Sequence, residues 1–159
     1  MGGTDVSVLH LDTERGWRGG QQQAAYLFEY MLERNVKTHF ICRRGARLEA
    51  YLRDRGLPCH SEPLTGEMDI LSAFRIARFA ADSDYRILYL HSAHALSIGI
   101  MARLANRELR TIAVRRVDFP IGSNPISRFK YNTGLLDRIV AISENIRRVL
   151  ISDGISADR

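Results

Sequence analysis

The chain has 159 residues, 45% hydrophobic and 26% charged, with a formal net charge of +5, an ordinary globular composition that excludes a disordered or fibrous chain. Its length suits one folding unit with a sizeable core, a single domain over residues 1–159. The longest nearly apolar stretches, Ala95 to Ala102 and Ile139 to Ile142, fall far short of the roughly 18 residues that span a bilayer, and Met1-Gly2-Gly3-Thr4-Asp5 lacks the basic start and apolar core of a secretory signal, so the chain is expected to stay in the cytoplasm.

Val6 to Leu11 is a β-prone run, followed by a glycine-bearing loop and by Gln21 to Arg34, where Ala24, Leu27, Phe28, Met31 and Leu32 recur at helical spacing. Asn35 ends that helix and Lys37 to Cys42 predicts a second strand. Ala46 to Arg55 follows as a helix with Leu48, Tyr51 and Leu52 inward and Gly56 as its stop, then Pro58 to Glu62 as a third strand. Asp69 can cap a third helix through Ala81, with Ile70, Phe74 and Ala77 on the inward face. Arg86 to His91 has the continuous apolar centre of a strand covered on both faces. Ala95 to Asn106 is a helix with Ile98, Met101, Ala102 and Ala105 inward, Thr111 to Arg115 a fifth strand, Ser127 to Leu135 a short helix and Asp137 to Ile142 a sixth strand. Ser143 to Ser152 is a last helix closing at Gly154. This alternation predicts an α/β, Rossmann-like fold, a mainly parallel sheet of about six strands with helices on both faces.

Ligands of such sheets bind at the carboxyl ends of the strands, so the loops after the strands are the places to look for chemistry. After the first strand, Arg18-Gly19-Gly20-Gln21-Gln22 places paired glycines at the threshold of a helix, where backbone N–H groups and the helix dipole favour a phosphate. It is neither a Walker loop nor G-x-G-x-x-G, and a bare Gly-Gly turn is also a common loop. After the fourth strand comes His91-Ser92-Ala93-His94. Two histidines without a third ligand do not make a metal site, and His91 suits a hydrogen-bonding or electrostatic role, or a structural one. The fifth strand ends in Arg115-Arg116-Val117-Asp118, whose guanidiniums fit phosphate or carboxylate; Asp118 could instead pair with either internally. Ser143-Glu144 follows the sixth strand, with Ser143 also explained as a helix cap. Cys42 and Cys59 lie in predicted strands without metal-ligand spacing and are expected to be reduced core residues. Between Arg103 and Lys130, seven basic side chains are set against Glu108 and Asp118, a run that favours an anionic partner or forms a solvated face.

The loop Arg18-Gly19-Gly20-Gln21-Gln22, the segment Leu90-His91-Ser92-Ala93-His94-Ala95 and the closing run Arg138 to Ile146 together, in that order, resemble glycosyltransferase family 4, the large retaining GT-B family. The resemblance implies the acceptor-side, N-terminal half of a two-domain enzyme that moves a sugar from a nucleotide-sugar to a cell-envelope or other glycan or lipid-linked acceptor, with no metal or other cofactor. It implies that Gly19 and Gly20, with Gln21, face the donor diphosphate, and that His91 is the catalytic histidine near the transferred sugar. It also implies that this domain supplies most acceptor contacts, for which the strand-end residues Arg115, Arg116, Asp118, Ser143 and Glu144 are the candidates, the arginines suiting an anionic acceptor. Two departures stand out: Tyr89 occupies the first place of the family's His-x-His, and Arg115 and Arg116 stand where many members have histidine. The donor-binding domain would follow residue 159, so these residues alone are expected to be inactive and to self-associate through the exposed interdomain face. The basic run would hold the enzyme peripherally against an anionic membrane.

A stand-alone Rossmann-like domain for a small ligand or anion is the alternative, although the dinucleotide fingerprint is missing and Arg43 and Arg44 sit where an acidic ribose ligand would. Pro63-Leu64-Thr65 at the third strand's end excludes a phosphoacceptor aspartate there. Nucleic-acid binding is not expected, because the aromatics are not interleaved with the basic run.

Overall fold

In a computed structural model, residues 6–121 and 125–158 are described. Six strands alternate with six helices: β1 (Ser7–Asp12), α1 (Gly19–Glu33), β2 (Lys37–Arg43), α2 (Arg47–Asp54), β3 (Cys59–Glu62), α3 (Ile70–Asp82), β4 (Ile87–Leu90), α4 (Ala93–Ala105), β5 (Arg110–Arg115), α5 (Pro125–Asn132), β6 (Arg138–Ala141) and α6 (Glu144–Ser152). The strands form one sheet in the order β3-β2-β1-β4-β5-β6, every neighbouring pair parallel.

β1 is buried along its whole length, as a central strand covered on both faces must be. Alternation sends Phe40 and Cys42 to one face, where they pack with Ala24, Ala25 and Phe28 of α1 and Leu48 and Leu52 of α2. Leu9, Leu11, Ile41, Leu88 and Leu90 face the other layer, where α3 and α4 bring Ala73, Ile76, Ala77, Leu96 and Ile98. Gly99 permits this closeness: a Cβ there would meet Leu90 Cδ2 at 2.5 Å. Asp69 caps α3 by accepting from Ser72 N at 3.0 Å, as its position before the apolar run implied.

Two expectations change. α3 is rotated from the expected phase: Ala73, Ile76, Ala77 and Ala80 go inward, while Ile70 and Phe74 are 64% and 60% exposed. The small side chains let α3 approach α4 and the sheet, which the bulkier face would prevent. The basic run is not a continuous cationic face either. Arg103 and Arg110 both pair with Asp137, Lys130 with Glu67, and Arg115 and Arg116 turn into the fold. Arg107 and Arg128 remain exposed and without an ion pair among the described residues.

Candidate functional site

Because all six strands are parallel, their carboxyl ends share one edge, and the strand order reverses between β1 and β4, which opens a crevice there. The chain segments leaving the two strands are tied across it: Thr13 Oγ1 and Ser92 Oγ lie 2.7 Å apart, and Ser92 also caps α4 by accepting from Ala95 N.

On the β1 side the turn is shaped by Asp12, which is almost fully buried. Its carboxylate accepts from Glu14 N at 2.8 Å and from Gln21 Nε2 at 3.2 Å, while Gln21 Oε1 accepts from Arg18 N. Burial pushes the Asp12 pKa up, against the pull of those hydrogen bonds and of Arg116. α1 therefore begins two residues earlier than expected, with Gly19 and Gly20 as its first helical residues. The N–H groups of Gln21 and Gln22 close on Arg18 O. Those of Gly19 and Gly20 belong to the opening positions that have no acceptor inside the helix. A Cβ at Gly19 would meet nothing within 4 Å, and one at Gly20 only Arg116 Cδ at 3.6 Å, so the space in front of this helix end is open.

On the β4 side His91 is 4% exposed, stacked with His10 and Phe40. Its Nε2 lies 2.8 Å from His10 Nδ1 and its Nδ1 lies 3.0 Å from Arg116 Nη2. Burial drives the His10 pKa down to about 3 and that of His91 well below its ordinary value, with His10 and Arg116 adding to the effect on His91. Arg116 also donates to His91 O at 2.8 Å and to Gln23 Oε1 at 3.2 Å.

Arg115, one residue earlier, points to the other layer. It donates to Val117 O, Phe119 O and Tyr131 Oη, and so organises the loop after β5. The opposite wall is closed by Glu67 from the β3–α3 loop, which accepts from Lys130 Nζ at 2.7 Å and lies 3.2 Å from His94 Nε2. The Lys130 hydrogen bond is the main reason the Glu67 pKa falls. Between these walls lies a cleft of about 570 Å³ whose lining includes Gly20, Gln21, His91, Arg116, Glu67 and Lys130.

Of the residues singled out in the sequence, Gly20, Gln21, His91, Arg115 and Arg116 line this one cleft, with Gly19 beside it at the start of α1. Asp118, Ser143 and Glu144 do not line it. Asp118 is exposed, Ser143 caps α6, and Glu144 pairs with Arg147 and Arg148. Asp12, His10 and Glu67 were not among the residues singled out, and Lys130 was read only as part of the basic run. Asp12 ends β1 and Glu67 lies in the loop after β3, both at the carboxyl edge of the sheet, and His10 is a polar residue inside an apolar strand. Among the described residues no group of three or more His, Cys, Asp or Glu side chains is placed to hold a metal ion, and no helix is long and apolar enough to cross a membrane.

Residues 17–159 match the family Glyco_transf_4, Glycosyltransferase Family 4. The chain belongs to that family. Solved structures agree on the fold of this family 4 chain. Alr3699/HepE of Anabaena in complex with UDP superposes with a TM-score of 0.74 at 15% identity over 96% of this chain and 42% of its own. A glycosyltransferase from Rickettsia africae ESF-5 gives 0.75 at 15% identity over 98% and 41%. The lipopolysaccharide outer core galactosyltransferase WaaB gives 0.67 at 13% over 94% and 43%. The family 4 chain thus spans less than half the length of each. No curated protein matches its sequence significantly.

Proposed function

We propose that this chain forms the acceptor-side half of a retaining glycosyltransferase that moves a sugar from a nucleotide-sugar to a cell-envelope glycan or lipid-linked acceptor. The observation that carries the reading is the open N terminus of α1 at the β1/β4 crevice, with the Arg116 guanidinium beside it. Such an end offers N–H groups and a partial positive charge to a phosphate. A diphosphate leaving group gains charge as its bond to the sugar breaks, and fixed donors aimed at that charge are the kind of group that speeds the step. Alr3699/HepE of Anabaena, which shares the fold, was solved with UDP and with UDP-glucose. The acceptor would lie along the other wall, against Phe119, Ile121, Tyr131 and the Glu67–Lys130 pair. No metal or organic cofactor enters the proposal.

This half supplies one wall. A donor-binding half would supply the nucleotide and sugar contacts, and without it binding of a nucleotide-sugar to these residues is expected on the order of millimolar or weaker. A peripheral membrane contact is also part of the reading. Its support is the apolar patch of Met68, Ile70, Leu71 and Phe74, with Phe129 beside Lys130 and the exposed Arg128 on α5, a mixture suited to an anionic lipid surface.

Gly19→Ala tests the donor reading in the complete enzyme. The added methyl has room in the fold, yet it stands where a phosphate would approach the helix end. Transfer, read as nucleoside diphosphate released from a panel of nucleotide-sugars, is expected to fall about 10-fold or more, the scale of one lost hydrogen bond to a charged group, with the unfolding midpoint unchanged. Full activity in this variant would remove the helix end from the donor site.

A further inference from the structure

Position 10 is a poor place for a histidine on packing grounds. It lies mid-way along the central strand, fully buried, with the rings of Phe28, Phe40, Tyr89 and His91 around it at 5.1 to 5.6 Å. Its Nε2 is the buried side-chain atom left without a hydrogen-bond partner among the described residues. An apolar ring would fill this space and remove that orphaned nitrogen, so packing alone gives no reason for a histidine here.

The hydrogen-bond chain gives the reason for it. A guanidinium has only donors, so Arg116 Nη2 donates to His91 Nδ1 at 3.0 Å. A neutral imidazole that accepts at Nδ1 carries its hydrogen on Nε2, and that atom therefore donates to His10 Nδ1 at 2.8 Å. His10 must then carry its own hydrogen on Nε2, the unpartnered atom. Every donor points inward, away from the cleft. His91 keeps neither a lone pair nor a proton for a substrate, because both of its ring nitrogens are occupied. Arg116, by contrast, has donors left over: of a guanidinium's five N–H groups, one meets Gln23, one His91 O and one His91 Nδ1.

We propose that His10 and His91 are a positioning pair that fixes the Arg116 guanidinium beside the N terminus of α1, and that Arg116, not His91, is the side chain of this crevice that meets a phosphate oxygen of the donor. The second half of this statement rests on the nucleotide-sugar reading above; the first half does not. His10 locks the tautomer of His91, and the locked tautomer presents an acceptor to Arg116. His91 O holds the second arm of the fork, so the guanidinium is fixed in two places, with its stem against Gly20. Asp12 adds an attractive charge nearby. A cation held this way needs no reordering when an anion arrives, which is the advantage of preorganised donors.

The test uses the complete enzyme, labelled with 15N-histidine, and four variants. In the parent, the NMR signals of His10 and His91 are expected to show hydrogen on Nε2 in both rings and no titration from pH 5 to pH 8. Hydrogen on Nδ1 of His91 would overturn the positioning pair whether or not the protein binds a nucleotide. UDP and inorganic pyrophosphate are the binding probes. Arg116→Met is expected to weaken UDP about 100-fold, and His91→Leu and His10→Phe about 10-fold each, the range of hydrogen bonds to charged groups. His10→Phe exchanges one unpartnered buried donor, His10 Nε2, for another, His91 Nε2, so it should do so with an unfolding midpoint close to the parent's, which loss of structure would not give. His91→Gln is the rescue, since its Oε1 can accept from Arg116 and its Nε2 donate to His10; it should stay within about 3-fold of the parent on the same scale. Parent-like UDP affinity in both Arg116→Met and His91→Leu would overturn the role of Arg116. If the parent binds neither UDP nor pyrophosphate, the donor assignment of Arg116 falls with the nucleotide-sugar reading, and the NMR result still decides the histidine pair.

Discussion

The crevice between β1 and β4 and the outer face of α3 are built by opposite rules. In the crevice, polar groups are buried and bonded to one another: Asp12 to Gln21 and Glu14, Thr13 to Ser92, His10 to His91 to Arg116. On α3, apolar groups are exposed with nothing among the described residues to cover them. Buried polar groups are costly unless each finds a partner, and exposed apolar groups forgo burial that would stabilise the fold. The unpartnered His10 nitrogen in the one and the uncovered apolar side chains in the other both cost stability, which singles them out from the rest of the fold. The contrast also predicts how each responds to change. The crevice should be sensitive to protonation and to single atoms, and the α3 face should tolerate substitution in everything except what it binds.

Acid should give the largest effect. His10 and His91 are held neutral, with folded pKa values below the roughly 6.5 of an unfolded histidine. Below pH 6.5 the unfolded chain therefore binds protons that the folded chain refuses, and stability is lost as pH falls from 6.5 toward about 3, where His10 itself would charge. Each such group steepens the loss by about 1.4 kcal/mol per pH unit, or roughly 4 kcal/mol for the two between pH 7 and pH 5. His39, lowered to about 4, and His60 act in the same direction but less, being partly exposed, whereas the raised pKa of Asp12 works against the loss. Urea midpoints measured at pH 7 and pH 5 should differ accordingly, and His10→Phe should remove about half of the difference that the two buried rings contribute. Equal midpoints at the two pH values would show that the rings take up protons inside the fold.

A smaller effect is expected one residue below His91, on the other side of the sheet. Gly99 of α4 lies against the buried side chain of Leu90, and a methyl there would sit 2.5 Å from Leu90 Cδ2 and 2.7 Å from Cδ1. Leu90 cannot swing away within a filled core, so Gly99→Ala should cost about 1 to 3 kcal/mol, the usual penalty of overpacking. It would also shift the strand that carries His91. An unchanged midpoint would mean that α4 stands further from β4 than described.

How much of this was legible in the sequence depended on range. The strands were, because a buried parallel strand such as Ile87–Leu90 is a continuous apolar run, and the loop rule then pointed to the glycines, His91 and the arginine pair. The opposite fates of Arg115 and Arg116 were also within reach. Thr111 and Ala113 are buried in alternation with their neighbours, and continuing that period sends Arg115 to their layer and Arg116 to the α1 side. The phase of α3 was not, since apolar residues recur at helical spacing on both of its faces and only the closeness of α4 decides between them. The basic run misled for a similar reason. Its counter-charges, Asp137 and Glu67, lie outside it in sequence and meet it only through the fold.

The smallest expected effect on the fold, and the one that most sharpens the contrast, belongs to α3. Met68, Ile70, Leu71 and Phe74 are 60% to 74% exposed, while the residues that hold the helix in place are Ala73, Ile76, Ala77 and Ala80 on its opposite side. Leu71→Ser with Phe74→Ser removes apolar surface that the described residues leave in water, so the unfolding midpoint should move by no more than about 0.5 kcal/mol. A fold that lost several kcal/mol would mean that these side chains are already covered within the chain. Binding should behave differently. Each large apolar side chain transferred out of water contributes about 1.5 to 3 kcal/mol, and the double variant is therefore expected to float with anionic vesicles at least 10-fold less than the parent, at equal protein and lipid. Added salt should weaken the parent's binding only in part, because Arg75 and Arg78 on this helix are already paired with Glu62 and Asp82 and the attraction is mainly apolar. If the parent does not bind vesicles but sediments as a dimer that the double variant dissolves, the patch meets a second copy of the chain instead, and the membrane reading fails while the distinction between the two faces stands.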